Sequence, residues 1–404
     1  MSVRDFICGA LTSGALFLLA SVVAFTLFWP SSSPRCQVSS DCNQARRDEM
    51  EQAKIEPTPA VILLWTELNG SFDNWVDYFG NDLDNINHCG FESDQIPPRI
   101  SRNPEDQPNA QVVIFNLNDL RLDDYEDQDT WKVDNLPLLQ KNPSQIWALL
   151  WHEPPSRIKV PRHKLAWLDE LFNWTISYRR DSDIFFPFGY FVDIPYTKVL
   201  KTPWRELWVR KGVVWQSDEC QTNSKAKKFI DNLAQYNHRN FNVKMLGACS
   251  KNGDKLEEPA KFWAALETDI CDDYVTEGFF KALYNDYVPV VFGGADIGYD
   301  EVALPGTYID ALSFSSPETL ADYLKMISKD SREFGQYVAW QHNFQVISGR
   351  FWVCPFSQAV IEAAEEKKPP KPVLKNFTQF WDQKRCYGDY EDALLYSMRA
   401  SVDQ

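Results

Sequence analysis

The sequence predicts an α/β protein of two layered domains facing a cleft, preceded by one membrane-spanning helix and a stem. Three observations lead there. Residues 262–294 compress the plan into one unit: an apolar run from Phe262 to Leu266, a polar loop beginning at Glu267, a helical stretch through Thr276, Glu277, Phe279, Phe280, Leu283 and Tyr284, a second apolar run from Val288 to Phe292, then Gly293 and Gly294. Such a unit sets the loop's polar groups and the helix N-terminus at the carboxyl ends of parallel strands, where open sheets bind ligands. The alternation recurs on both sides of a proline-bearing join at Thr202 and Pro203, so the chain carries it twice. Ahead of both, residues 6–29 hold no charged side chain, a run long enough to cross a bilayer.

The elements follow in order. Residues 1–5 are a short tail in which Asp5 offsets Arg4, so charge alone barely orients the chain. A cleaved signal peptide would have a shorter apolar run, and 6–29 therefore reads as an uncleaved anchor. Residues 30–58, with SSSP, a charged run and PTP, have little to bury and form the stem. Cys36 and Cys42 within it either close a local loop or bridge two chains, the second giving a homodimer through the stem.

In the first domain, 59–200, AVILLW (60–65), QVVIF (111–115), QIWALLW (145–151) and residues 174–178 read as strands, and 162–172 as a helix. The acidic loop from Asp119 to Asp134 reads as a solvated face. In the second, 201–350, GVVW (212–215) and FNVKML (241–246) are strands, and 225–237 and 317–329 are helices. Residues 351–404 are a C-terminal extension with a charged, proline-rich spacer at 362–375, which a Cys354–Cys386 bridge would tie down.

Composition narrows the function. A formal charge of −16 argues against a nucleic-acid surface, though not against a local basic pocket for a phosphorylated small ligand. Nine cysteines and the glycosylation sequons at Asn69 (NGS), Asn173 (NWT) and Asn376 (NFT) suit an oxidising, luminal compartment. Neither domain shows GxGxxG, and Gly293 with Gly294 is too little to stand for it. No metal-ligand cluster is visible; DSD at 181–183 and DDY at 272–274 are acidic triplets of a kind that can hold a divalent ion.

Two long motifs resemble the α1,3/α1,4-fucosyltransferase family. FWAALETD (262–269), DYVTEGFFKAL (273–283) and VPVV (288–291) are similar to the family's FYLAFENS, DYVTEKFFNAL and VPVV, and FNWTISYRRDSDIFFPFGY (172–190) to its FNWTxSYRxDSDxxxPYG. The resemblance covers roughly residues 59 to 345. It implies two Rossmann-like domains in the GT-B arrangement of glycosyltransferases, single-pass type II anchoring in the Golgi membrane, and inverting transfer of L-fucose from GDP-fucose to a GlcNAc hydroxyl of a glycan in α1,3 linkage. No cofactor is required, and a divalent metal is not expected, because protein cations and helix termini can neutralise a leaving diphosphate.

The resemblance also assigns roles. Glu153, in EPP where the family has ESP, takes the place of the proposed base, with His152 beside it as a second candidate. Glu277 corresponds to the glutamate that holds the ribose, Tyr274 to the tyrosine lining the nucleotide site, and Glu267 to the glutamate near fucose and pyrophosphate. Lys225 aligns with a diphosphate-binding arginine, and Gly278 stands where the family has a diphosphate-binding lysine. Thr268 and Asp269 also depart from the family text, and Asp269 is expected to add negative charge near the diphosphate. These departures fall in one site and leave a catalytically weak or binding-only relative as the alternative to an active enzyme. The acceptor, antennal or core GlcNAc, is not specified by these motifs.

Overall fold

The structure is a computed structural model that describes residues 58–75, 96–137, 142–158, 160–197, 200–237, 241–250, 257–293, 298–348, 353–365, 374–389 and 391–393. The expected anchor at 6–29 and almost all of the stem lie outside these residues. Among the described residues no helix is long and apolar enough to cross a membrane.

The strands are β1 (Val61–Leu64), β2 (Arg99–Ser101), β3 (Val112–Asn116), β4 (Ile146–Leu150), β5 (Trp174–Ser177), β6 (Ile184–Phe185), β7 (Gly189–Asp193), β8 (Val213–Gln216), β9 (Val243–Leu246), β10 (Phe262–Leu266), β11 (Val288–Phe292), β12 (Ile309–Asp310) and β13 (Phe344–Ser348). The α-helices are α1 (Gln128–Asn135), α2 (Arg162–Leu165), α3 (Trp204–Val209), α4 (Ala226–Ala234), α5 (Glu277–Tyr284), α6 (Gly298–Val302), α7 (Pro317–Ile327), α8 (Ser331–Gln336), α9 (Val353–Glu365) and α10 (Phe377–Phe380).

Six strands form a parallel sheet in the order β2-β1-β3-β4-β5-β6. Because a parallel sheet is covered on both faces, β1 and β4 are apolar and buried throughout rather than alternating. In β3, Val113 and Phe115 point to one core with Trp131 of α1, Leu165 of α2 and Phe377 of α10, while Val112 and Ile114 point to another with Phe356 and Val360 of α9. The C-terminal segment thus closes both faces of the first sheet. Residues 362–365, expected in a spacer, continue α9, and the acidic stretch 119–134 buries Trp131 completely. The helix expected over 162–172 is shorter: α2 passes into a 3₁₀ turn at Ala166–Leu168 that ends at Asp169, whose backbone is extended, and Glu170 follows with a φ of +61°.

Five strands form the second parallel sheet, β12-β11-β10-β8-β9. Phe229, Ile230 and Leu233 of α4 and Leu320, Leu324 and Ile327 of α7 cover one face. Phe279, Phe280 and Leu283 of α5 cover the other, against Ala265 and Val291. The strand, loop, helix, strand unit is present as expected over 262–293, and Gly294 lies outside the described residues. A two-stranded antiparallel ribbon, β7 with β13, joins the segment leaving the first sheet to the segment leaving the second.

Cys271 is bonded to Cys386, and Cys220 to Cys249. The expected Cys354–Cys386 bridge is therefore excluded, and Cys354 is disulfide-bonded elsewhere. Instead of tying the tail to itself, Cys386 fastens it to the loop after β10, where Asp272 N–H donates to the Arg385 carbonyl (2.9 Å) and Tyr387 N–H to that of Ile270 (2.8 Å).

Candidate active site

The site grows from the loop between β10 and α5. Glu267, the first residue after β10, is 2% exposed. Its Oε1 accepts from the Thr276 N–H (2.8 Å) and the Tyr299 hydroxyl (3.1 Å), and its Oε2 has no hydrogen-bond partner among the described residues. Burial outweighs these two bonds and pushes the carboxyl up to about 7. The room for this side chain comes from Gly293, whose φ is +140° and where a Cβ would lie 2.2 Å from Glu267 Cγ.

Two residues on, Asp269 is 1% exposed and collects four donors: Ser156 Oγ (2.6 Å), Arg157 Nε (2.7 Å), Asn223 Nδ2 (2.6 Å) and Thr268 Oγ1 (3.0 Å). Burial pushes its carboxyl up, but Ser156, Arg157 and Asn223 pull it further down, to below the ordinary aspartate value. The expectation that Asp269 adds uncompensated charge is thereby corrected: Arg157 pairs with it and, through Nη2, with Glu219 at 3.0 Å. Arg157 was not singled out from the sequence; the available signal was a cation four residues beyond Glu153.

Glu153 lies past the carboxyl end of β4 and is exposed. His152 is held more firmly, donating Nε2 to the Phe186 carbonyl (2.9 Å) and stacking on the Phe186 ring (3.9 Å between centroids). The 3₁₀ turn that carries Ser156 and Arg157 follows directly, so the Glu153 loop and the Glu267 loop are bonded to each other.

Tyr274 is 8% exposed and meets Tyr178 edge-on at 5.0 Å, within the core of the first sheet. Burial raises its phenol well above the usual value. Glu277 opens α5 and pairs with Lys281 one turn on (2.9 Å). Gly278 sits between them facing open space, the nearest atom to an added Cβ being Thr276 Oγ1 at 3.8 Å. Lys225, at φ +55°, caps the start of α4 and pairs with Asp389, while Lys228 pairs with Glu391 at 2.7 Å. Hydrogen bonding to Asp389 raises the Lys225 ammonium. Asp389 belongs to the C-terminal segment, and no motif pointed to it.

The acidic triplets are taken up within the protein, Asp183 by the Thr175 N–H (2.9 Å) and hydroxyl (3.0 Å) and the other aspartates by cations. Asp181 faces Arg179 and Arg385, Asp272 faces Arg385, and Asp273 faces Arg180. Among the described residues no group of three or more His, Cys, Asp or Glu side chains is arranged to hold a metal ion. Of the sequons, Asn69 and Asn376 are exposed, whereas Asn173 is 7% exposed with its Oδ1 accepting from the Trp147 N–H (3.1 Å). A glycan would join Nδ2 and leave the Oδ1 bond intact, so it is the burial of Asn173 that disfavours its modification in the folded protein.

Comparison with known proteins agrees with the motifs. Residues 209–376 match the model of the glycosyltransferase family 10 (fucosyltransferase) C-terminal region, and 57–189 that of the fucosyltransferase N-terminal region. The chain is 30% identical over 383 residues to alpha-(1,3)-fucosyltransferase C of Drosophila melanogaster, covering 86% of this chain and 84% of the relative. It is 29% identical over 225 residues to 4-galactosyl-N-acetylglucosaminide 3-alpha-L-fucosyltransferase 9 of Mus musculus, covering 55% of this chain and 60% of that one. A crystal structure of an alpha1,3-fucosyltransferase with GDP-fucose aligns at a TM-score of 0.45 and 14% identity, over 77% of this chain and 92% of that chain. The chain belongs to the fucosyltransferases of glycosyltransferase family 10 and is a glycosyltransferase.

Proposed function

We propose that the protein transfers L-fucose from GDP-fucose, with inversion, to a GlcNAc hydroxyl in α1,3 linkage on a glycan, and that it does so as a single-pass type II protein of the Golgi membrane in the two-domain GT-B arrangement. The observation that carries this reading is the network through Asp269, which bonds the loop bearing Glu153 to the loop bearing Glu267. In this reading the network holds the base, beside the first sheet, and the donor site, beside the second, in fixed relation.

In this reading Glu153 removes the proton of the acceptor hydroxyl as that oxygen attacks the anomeric carbon, whose bond to the phosphate oxygen breaks and releases GDP. Lys225 and the N-terminus of α4 take the developing phosphate charge, Glu277 holds the ribose, and Tyr274 lines the nucleotide site. Glu267, matched to the family glutamate near fucose and pyrophosphate, keeps that place in this reading, its Oε2 having no hydrogen-bond partner among the described residues. The disulfides support a luminal compartment.

Product analysis tests the reading. NMR of the product from GDP-fucose and an N-acetyllactosamine acceptor should show an α-fucosyl residue on O3 of GlcNAc. A β-linked product, or a different acceptor position, would overturn the inverting α1,3 assignment.

A further inference from the structure

The start of α4 and the C-terminal segment meet at the loop that follows β10. Ser224 N–H donates to the Thr268 carbonyl (3.0 Å) and Ser224 Oγ to that of Glu267 (2.6 Å), and the next residue is Lys225. From the other side, Cys386 is bonded to Cys271, and Tyr387 N–H donates to the Ile270 carbonyl (2.8 Å). Three residues past that disulfide the tail sets Asp389 against Lys225, and a little further Glu391 against Lys228 (2.7 Å). Both cations at the start of α4 are thus held by one acidic stretch of the C-terminal segment.

The partners in the first pair differ in freedom. Asp389 is 9% exposed, and its Oδ1 accepts from the N–H groups of Glu391 (2.9 Å) and Asp392 (3.2 Å), so the carboxylate is fixed by its own segment. Its Oδ2 takes the Lys225 ammonium, whose side chain is 51% exposed. The lysine, on a flexible four-carbon stem, can turn away while the carboxylate stays. An anion-binding ammonium beside the Glu267 loop therefore already carries an anion, supplied by the chain itself.

We propose that Asp389 is an internal competitor of the donor diphosphate, which binds as the Lys225 ammonium turns from this carboxylate to the phosphates, so that the C-terminal segment sets donor affinity. The proposal rests on the fucosyltransferase reading for the role of Lys225. A diphosphate carries more negative charge than a carboxylate, and this drives the exchange. Opposing it, Asp389 is left largely buried without its cation, which costs free energy each time donor binds. Lys228 offers no spare charge, since the same tail already pairs it.

The test is calorimetric titration of the full-length protein with GDP, for wild type, Asp389→Asn, Glu391→Gln and Lys225→Met. Asparagine keeps an Oδ1 for the two N–H groups and removes the charge that faces Lys225, so the turn of the tail is retained. Asp389→Asn should bind GDP about threefold to tenfold more tightly than wild type, between the worth of an exposed ion pair and that of a buried one, and should lower the KM for GDP-fucose by a similar factor. Glu391→Gln, which removes a charge of the same sign without touching Lys225, should stay within about twofold of wild type. Lys225→Met should bind more weakly. Weaker binding by Lys225→Met beside unchanged or weaker binding by Asp389→Asn overturns the proposal and leaves the transfer reading standing. An equal gain in Glu391→Gln overturns it too, because charge alone would then be the cause. If Lys225→Met binds GDP as wild type does, or no protein in the series binds it, the role given to Lys225 falls and the proposal falls with it.

Discussion

Arg157 donates its Nε to Asp269 at 2.7 Å, and in doing so ties the loop after β4 to the loop after β10. The contact converts an acidic departure from the family motif into a strut between the loop that bears Glu153 and the loop that bears Glu267. Arg157→Ala should destabilise the protein by about 3 kcal/mol, the low end for breaking a buried pair, since Arg157 is 30% exposed and Ser156 and Asn223 still donate to Asp269. Because the Asp269 carboxyl is held below its ordinary value of 3.8, this contribution is present at neutral pH and is lost as pH falls below that value. Urea unfolding of wild type and variant at pH 7 and pH 3 reads both; equal stabilities at pH 7 would contradict the strut.

Glu267 gives an opposite pH signature. Its carboxyl is raised by burial from 4.5 to about 7, so the folded protein binds a proton that the unfolded chain has released, and stability from this group falls as pH rises from 4.5 to 7. Glu267→Gln should remove that slope and leave the variant more stable than wild type above pH 7, by about 3 kcal/mol. Thermal unfolding across pH 5 to 8 is the measurement, and parallel curves for the two proteins would refute the buried carboxyl.

Gly278 faces open space, and the turn around it is an ordinary helix start, with Lys281 already paired to Glu277. Gly278→Lys should raise GDP-fucose turnover about tenfold, the worth of one charge-assisted bond to phosphate. It should also firm the first turn of α5, since glycine is a poor helix former. A fall in turnover would mean that another group already fills that place.

Glycopeptide mapping of the full-length protein expressed in eukaryotic cells should find glycan on Asn69 and Asn376 and none on Asn173, whose amide is packed between β4 and β5. Occupancy at Asn173 would require that stretch to be modified before it folds.

Much of this architecture could be read from the chain because local patterns carry it. Phe262 to Leu266 and Val288 to Phe292 are apolar throughout since they are central strands of a parallel sheet, and the helix between them shows its buried stripe in Phe279, Phe280 and Leu283. What escaped depends on partners distant in sequence. The β7–β13 ribbon pairs Gly189 with Ser348, the tail reaches back to bond Cys386 to Cys271, and Asp389 meets Lys225 across the same gap. No period or spacing in the chain marks such pairs. For the same reason Asp269 read as added negative charge near the diphosphate, although its partner Arg157 lies only four residues past Glu153.

The central claim is that Glu153 acts as the base for fucose transfer and takes no part in holding the nucleotide. Transfer from GDP-fucose to N-acetyllactosamine, measured for wild type and Glu153→Gln beside calorimetric GDP affinity, tests it directly. The account predicts measurable transfer by wild type, loss of most of it in Glu153→Gln, and the same GDP affinity in both. Retained transfer in the variant, or an equal loss of GDP affinity, would contradict it.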